Sequence, residues 1–435
     1  MDHEATITGL AHGGAGVARL DGKVVFVPRT LPGETVQFEP LIAKRTYAWG
    51  RLTRVIQPSP LRRDPPPCDL FGECGGCHWQ HIQDSLQAGF KETVFRDLVS
   101  RNTAVLPERI LPIVPSPRMW NYRASITLKV DGGDVGFYAA RSHRVVPIPK
   151  CLLASPILNE VLGILQEPDL RVLLRTYVQE LQAASPDGIH ASLCLRTKRP
   201  LSLPEERRIA ERLRRVPGVA CAAWTHGRGF HLRPFGSRRE GPWGAPLPPP
   251  WPGLPQTGFW SVPGVFLQAN REQNIRMIRE VLSLLDGIGK GLKILELFSG
   301  AGNFTLPMAL AGHRVDAFEI HPAAVDNARW NLQQTTLDTV SIHTLSAEQA
   351  LMRSRKRHAR CDVLVMDPPR TGIKKEAAII AECNAPHLIY ISCEPAAWRR
   401  DENRLRRGGY ECLSSLPLDL FPQTYHVESI HHLAR

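Results

Sequence analysis

A chain of 435 residues, 43% of them hydrophobic, is long enough for two to four domains with substantial buried cores. Its formal net charge of +12, carried mainly by arginine, points to a polyanionic partner, nucleic acid first, although a basic proteome would give the same balance. No run of about 18 apolar residues exists, which argues against a membrane span. Met1-Asp2-His3-Glu4 lacks the basic and apolar regions of an export signal, so the expected location is the cytoplasm. Ten cysteines in such a chain read as metal ligands or catalytic groups rather than disulfides.

Residues 5–56 read as five short strands separated by glycine turns, with Asp21-Gly22 as a hairpin signal. That density of strands suggests a small OB-like barrel, a common nucleic-acid platform, or else a purely structural β-domain. Pro58, Pro60, Pro65, Pro66 and Pro67 form a linker into Cys68-x5-Cys74-x2-Cys77 on a glycine-rich loop. Three thiols need a fourth ligand. Cys151, which follows an extended segment, is the first choice, with His78 and His81 as substitutes. Four thiolates suit zinc or an iron–sulfur cluster, and spacing alone leans to zinc. The other cysteines, Cys194, Cys221, Cys361, Cys383 and Cys412, lack ligand spacing and read as core or surface thiols.

The central region reads as α+β, with helices over Asp84 to Arg101, Asn159 to Ala184 and Pro204 to Arg215 and strands over Ser125 to Val130 and His190 to Arg196. Residues 234–256, crowded with Pro, Gly and Trp, read as an irregular loop. From Arg271 onward helices and strands alternate as far as strand His387 to Ile391, the pattern of a doubly wound parallel sheet. The expected divisions are a barrel over 1–57, a central domain over 58–270 and an α/β domain over 271–435.

Ligands of such sheets collect at the carboxyl ends of the strands. There the sequence places Glu296-Leu297-Phe298-Ser299-Gly300-Ala301-Gly302-Asn303, a strand, glycine loop and helix start suited to a nucleotide-like ligand. Glu319, about 20 residues on, suits a ribose. Thr305 occupies the place of the third glycine of a dinucleotide loop, and Glu296 suits an ammonium better than a pyrophosphate. S-adenosylmethionine is therefore favoured over NAD. Asp367-Pro368-Pro369-Arg370 ends a later strand, its prolines stiffening a loop that can hold a planar base.

Cys393, at the end of strand His387 to Ile391 with Pro395 following, selects the chemistry. Carbon 5 of uracil attacks a sulfonium methyl only after a thiolate adds to carbon 6, and a base must then remove the carbon-5 proton. Glu428 is the expected base and His426 the local competitor. As an isolated cysteine, Cys393 would read as core packing.

Taken together, these segments resemble the RNA 5-methyluridine methyltransferases, in particular the 23S ribosomal RNA branch with a TRAM domain and an iron–sulfur cluster. Its markers are Gly13 to Ala18 with Leu31-Pro32-Gly33-Glu34, the cysteine cluster with Gln80-His81, Asn121-Tyr122-Arg123, Ser142 to Val146 before Cys151, and Phe266-Leu267-Gln268-Ala269-Asn270. The resemblance implies a Rossmann-like class I methyltransferase domain. It implies a [4Fe-4S] cluster on Cys68, Cys74, Cys77 and Cys151, which displaces zinc. It further implies S-adenosylmethionine contacts from Gln268, Phe298, Asn303, Glu319 and Asp367, Cys393 as nucleophile and Glu428 as base. The implied partner is a flipped-out uridine of 23S ribosomal RNA. The same reaction on tRNA, or an RNA-binding relative without catalysis, are the alternatives. A monomer is expected.

Three departures from the family pattern carry expectations of their own. Glu296 and Ser299 stand where the family loop has Asp and Cys, and Ser346 stands where many relatives have Asp or Asn near the adenine. Glu394 follows the nucleophile in place of Asn, and a carboxylate there should raise the thiol's pKa unless it is paired.

Overall fold

The computed structural model describes residues 2–216, 218–227, 233–234, 246–247, 259–356, 360–374, 376–383 and 385–435, with only the backbone given for 233–234, 246–247 and 259–260. The proline-rich stretch 234–256 lies almost entirely outside the described residues.

The first sheet is built from β1 (His3–Thr6), β2 (Gly9–Leu10), β3 (Gly16–Leu20), β4 (Lys23–Val27), β5 (Thr35–Ala43) and β6 (Tyr47–Gln57), ordered β1-β5-β6-β4-β3-β2. Alternating Ala5, Ile7, Ala18, Val25, Val27, Val36 and Phe38 turn inward as its core. Asp21 and Gly22 both take positive φ, and Leu20 pairs with Lys23, as a two-residue hairpin turn requires.

Helix α1 (Asp84–Asn102) leads into the central sheet. That sheet uses β7 (Ser125–Asp131), β8 (Asp134–Tyr138), β9 (Val145–Pro147), β10 (Val178–Ala184), β11 (Ala191–Thr197), β12 (Val219–His226) and β13 (Arg233–Pro234), ordered β13-β12-β11-β10-β7-β8-β9. Helices α2 (Pro156–Leu165), α3 (Pro168–Tyr177) and α4 (Leu203–Leu213) accompany it, and Leu158, Val161, Leu162, Leu173 and Leu174 share its core. The single helix expected over 159–184 is therefore two helices and a strand. Pro168 ends one helix and starts the next, and Val178–Ala184 pairs with β7 and β11 on both edges, so sheet pairing overrides helical propensity.

A two-stranded ribbon, β14 (Pro246–Leu247) with β15 (Phe259–Trp260), precedes α5 (Arg271–Ile288). The last sheet contains β16 (Lys293–Leu297), β17 (Arg314–Glu319), β18 (Val340–Thr344), β19 (Val363–Met366), β20 (His387–Ser392), β21 (Glu411–Leu418) and β22 (Glu428–Ala434), ordered β18-β17-β16-β19-β20-β22-β21. Helices α6 (Thr305–Leu310), α7 (Pro322–Gln333), α8 (Ala347–Lys356), α9 (Glu376–Glu382) and α10 (Pro395–Arg407) cross between its strands. Five strands are parallel, as the alternating pattern predicts. The reversed β22 pairs antiparallel with both β20 and β21, which that pattern did not anticipate. No helix among the described residues is long and apolar enough to cross a membrane.

Candidate active site

Three parallel strands deliver the expected groups to one edge. Leu297 is followed by the glycine loop, β17 ends in Glu319, and β19 runs into Asp367. The glycine loop and Glu319 are bonded together: the Gly300 amide donates to Glu319 Oε2 at 3.0 Å, and the His321 amide donates to Oε1 at 2.8 Å. Phe298 takes a positive φ at the head of that loop. Asn303 exchanges side-chain amide bonds of 2.8 and 3.1 Å with Asn274 of α5. Gln268 lies two residues before Asn270, whose side chain caps α5 by accepting from the Gln273 amide. Glu296 is buried beneath the loop, accepts from Thr305 Oγ1 at 2.6 Å, and leaves its other oxygen unpartnered. Burial, with Asp367 and Glu319 nearby, pushes its carboxyl up to about 8. Ser346 caps α8: its hydroxyl accepts from the Gln349 amide at 3.2 Å, and its amide donates to Gln349 Oε1 at 3.0 Å.

The antiparallel turn of the sheet supplies the remaining group. Ser392 pairs with Ser429 across β20 and β22, so the next positions outward, Cys393 and Glu428, face each other at the strand end. Register places this pair, which spacing along the chain does not show. Burial first, then Glu428 and Asp367, drive the Cys393 thiol up to about 12, with Arg370 opposing them. Glu428, fully buried, is pushed well above the usual carboxylate range by burial and by Asp367, again opposed by Arg370. Asp367 keeps a partly accessible edge, yet burial raises it to about 7. Three acidic groups thus share one pocket with one nearby cation. The role of Arg370 is visible only in this assembly.

Glu394 meets the exception its expectation allowed, because it is paired. Its Oε1 lies 2.8 Å from His12 Nε2, in the first sheet's loop, and this bond holds its carboxyl below the usual range. The carboxylates that raise the Cys393 thiol most are Glu428 and Asp367. His426, the alternative base, is pushed down to about 3 by burial and packs against Tyr425, with ring centroids 4.3 Å apart. So weak a base suits proton removal less well than a carboxylate with a raised pKa.

The loop before Glu428 is pinned by contacts that sequence reading missed. Lys91 of α1, fully buried, donates to Asp419 Oδ1 at 2.6 Å and to the Phe421 carbonyl at 2.9 Å. Gln87 Nε2 donates to Gln423 Oε1 at 2.9 Å, and the amides of His78 and Trp79 donate to the Gln423 carbonyl at 2.8 and 3.0 Å. Tyr122 Oη donates to the Pro422 carbonyl at 3.0 Å. Gln423, at φ 67°, was the available signal only in retrospect.

Cys68, Cys74, Cys77 and Cys151 line one pocket of about 30 Å³, together with Arg123 and Gln80; His78 and His81 are not in that lining. Gln80 Oε1 accepts from the Cys68 amide at 3.1 Å, and Asn159 braces Cys151 through bonds of 2.8 and 3.0 Å. Burial drives the Cys77 thiol up to about 12. Among the described residues, no group of three or more His, Cys, Asp or Glu side chains could hold a metal ion as placed. A separate cleft of about 330 Å³, lined by Lys293, Arg314, Asp316 and Arg353, lies at the opposite, amino-end edge of the last sheet.

Residues 257–435 match the family described as tRNA (Uracil-5-)-methyltransferase, and residues 3–53 match the TRAM domain. The 23S rRNA (uracil(1939)-C(5))-methyltransferase RlmD of Halomonas elongata is 32% identical over 98% of this chain and 88% of its own length. The chain belongs to the RNA uracil-C5 methyltransferase family. The like-named protein of Alkalilimnicola ehrlichii is also 32% identical, over 98% of this chain and 95% of its own. Among solved structures, the Pyrococcus abyssi tRNA (uracil-54, C5)-methyltransferase with S-adenosyl-L-homocysteine superposes with a TM-score of 0.72. That match covers 99% of this chain and 100% of the other at 21% identity, a likeness of fold. As a member of the RNA uracil-C5 methyltransferases this protein is an S-adenosylmethionine-dependent enzyme. The TRAM match agrees with the barrel read from strand spacing, and the family with a Rossmann-like domain.

Proposed function

We propose that this enzyme methylates carbon 5 of a uridine in 23S ribosomal RNA, with Cys393 as nucleophile, Asp367 orienting the base and Glu428 removing the carbon-5 proton. The observation that carries this reading is the β20–β22 register, which sets thiol and carboxylate opposite each other beside Asp367. The thiol gives its proton to solvent, the thiolate sulfur bonds to carbon 6, and the ring's double-bond electrons move towards oxygen 4. Bound S-adenosylmethionine supplies an electrophilic methyl group to carbon 5. Glu428 then takes the carbon-5 proton, and the carbon–sulfur bond breaks to restore the double bond. A carboxylate held well above its usual range is a strong base for that step.

Gln268, Phe298, Asn303, Glu319 and Asp367 are proposed to hold the methyl donor. The Glu319-braced loop and the buried Glu296 support a ligand carrying ribose hydroxyls and an ammonium group. Cys68, Cys74, Cys77 and Cys151 are proposed to hold a [4Fe-4S] cluster. A pocket whose potential ligands are thiols alone suits soft iron–sulfur chemistry, and the half-buried Arg123 beside it offsets the charge of bound thiolates. Residues 1–57 are taken as the RNA-gripping unit, 58–270 as the cluster-bearing domain and 271–435 as the catalytic one. One chain supplies every proposed group, which supports a monomer, and the kinship with ribosomal RNA methyltransferases supports a cytoplasmic place of action.

The test uses 23S fragments and tRNA carrying 5-fluorouridine, whose carbon 5 has no proton to lose. With S-adenosylmethionine, the wild type should form an adduct that survives denaturation on the ribosomal fragment, and Cys393→Ala should form none. An undiminished adduct in Cys393→Ala would sink the covalent reading. Adduct formation on tRNA alone would reassign the substrate.

A further inference from the structure

The barrel touches the nucleophile's own turn. Between β2 and β3 the chain folds into a tight loop, with the Ala11 amide donating to the Ala15 carbonyl at 2.8 Å and Gly14 to Ala11 at 2.9 Å. His12, from that loop, reaches Glu394 Oε1 at 2.8 Å across 382 residues of sequence. Glu394 is ionised and can only accept, so the imidazole donates.

Glu394 is the residue after Cys393 and the N-cap of α10. The same Oε1 accepts from the Ala396 amide at 3.3 Å. Ser392 Oγ bonds both the amide and the carbonyl of Glu394, at 3.3 and 3.2 Å. The backbone on either side of Cys393 is therefore held by one short network, and His12 joins it from the first sheet's loop, far away in sequence.

The loop is seated without slack. Gly14 sits at φ 81°, and a Cβ there would lie 2.8 Å from Trp79 Nε1 and 2.9 Å from Tyr425 Cβ. Trp79, fully buried, donates from that Nε1 to the Gly14 carbonyl at 3.1 Å. Leu31 of the barrel, Trp79 and Ile82 form a small core of their own, with Leu10 and Tyr425 packed against it. Barrel, cysteine loop and C-terminal loop thus meet beside Cys393.

We infer that His12 is a positioning residue of the catalytic centre, which acts through Glu394 to set the turn carrying Cys393 and so makes thiol placement depend on the docked barrel. An ion pair with both side chains about a quarter to a third exposed adds little to stability, so its effect belongs in geometry. This rests on the covalent reading given above.

The test uses the full-length protein and 5-fluorouridine RNA at saturating concentration, with adduct formation followed in a single turnover. His12→Ala and Glu394→Gln should each slow it by roughly ten- to a hundredfold, the scale of a small misplacement of a reacting group. RNA affinity and thermal midpoint should stay near wild type. The double variant should be no slower than the worse single one, since both remove the same contact. His12→Gln, which keeps a donor, should recover much of the rate. Unchanged adduct rates, multiplying effects in the double variant, or a loss confined to RNA affinity would each overturn the inference. A wild type that forms no adduct would instead overturn the covalent reading itself.

Discussion

Cysteine lines two pockets of this protein, and burial makes thiols reluctant to ionise in both. Cys77 and Cys393 are each pushed up to about 12. Around Cys77 the further opposition comes from other thiols, Cys151 and Cys74, with the Gln80 hydrogen bond and the half-buried Arg123 working the other way. Around Cys393 it comes from carboxylates, Glu428 and Asp367, with the exposed Arg370 opposing. Mutual thiol repulsion is relieved when a cationic metal centre binds all the sulfurs at once. Carboxylate repulsion is relieved one proton at a time, as a reaction cycle needs. Desolvation is common to both pockets, and the neighbours are what distinguish the proposed cluster site from the proposed reacting one.

Four experiments can break or sharpen that contrast. The largest effect is expected at Glu428: Glu428→Gln should slow methylation by roughly 10²- to 10⁴-fold while the natural uridine adduct accumulates, because the proton has no acceptor. A slow variant without trapped adduct would move the base elsewhere. In the other pocket, anaerobic wild-type protein should be brown with about four irons per chain. Cys77→Ser should lose that iron and lower the thermal midpoint by roughly 5 °C. A colourless wild type holding zinc would correct the cluster assignment.

The third effect concerns protons. Burial raises Asp367 to about 7 and Cys393 to about 12, and Glu428 stands well above the usual carboxylate range, so the reactive pocket gains its working ionisation as pH rises. The single-turnover rate should climb from pH 6 to 9, by up to about tenfold per unit where one ionisation limits it. A flat profile would mean that substrate binding reorders these charges. The smallest effect lies beneath the glycine loop. Glu296 has a folded-state value of about 8 against 4.5 unperturbed, so its stabilising protonation is complete below 4.5 and lost as pH rises through 8. Glu296→Gln keeps an acceptor for Thr305 and should match wild-type stability near pH 5. At pH 9 it should exceed wild type by on the order of a few kcal/mol, read by denaturant unfolding. Equal stability at both pH values would remove the charge from that position.

Much of the catalytic segment was legible because strand ends in an α/β sheet announce themselves. Apolar runs stop at Leu297, Glu319, Met366 and Ser392, and the chemistry begins there. The departures were visible as well, but their meaning was not. Ser346 turned out to cap α8, and Glu394 to pair with a histidine 382 residues away. Helix 159–184 failed as a single element because periodicity is blind to strands that will pair on the same stretch.

The sequence by itself determined the class of the protein, the parallel part of its last sheet, the strand ends that carry Cys393, Asp367 and Glu428 as candidates, and which cysteines have ligand spacing. These follow from local pattern: apolar period, turn residues, and residue types that only certain chemistry needs. Tertiary structure decided which groups meet. The antiparallel return of β22 set Glu428 opposite Cys393, the Lys91–Asp419 pair and Gln87 fixed the loop leading there, and the seated barrel loop turned Glu394 towards His12. Register joins residues on strands separated by a helix and a strand, and docking joins residues hundreds of positions apart; no local pattern encodes either contact.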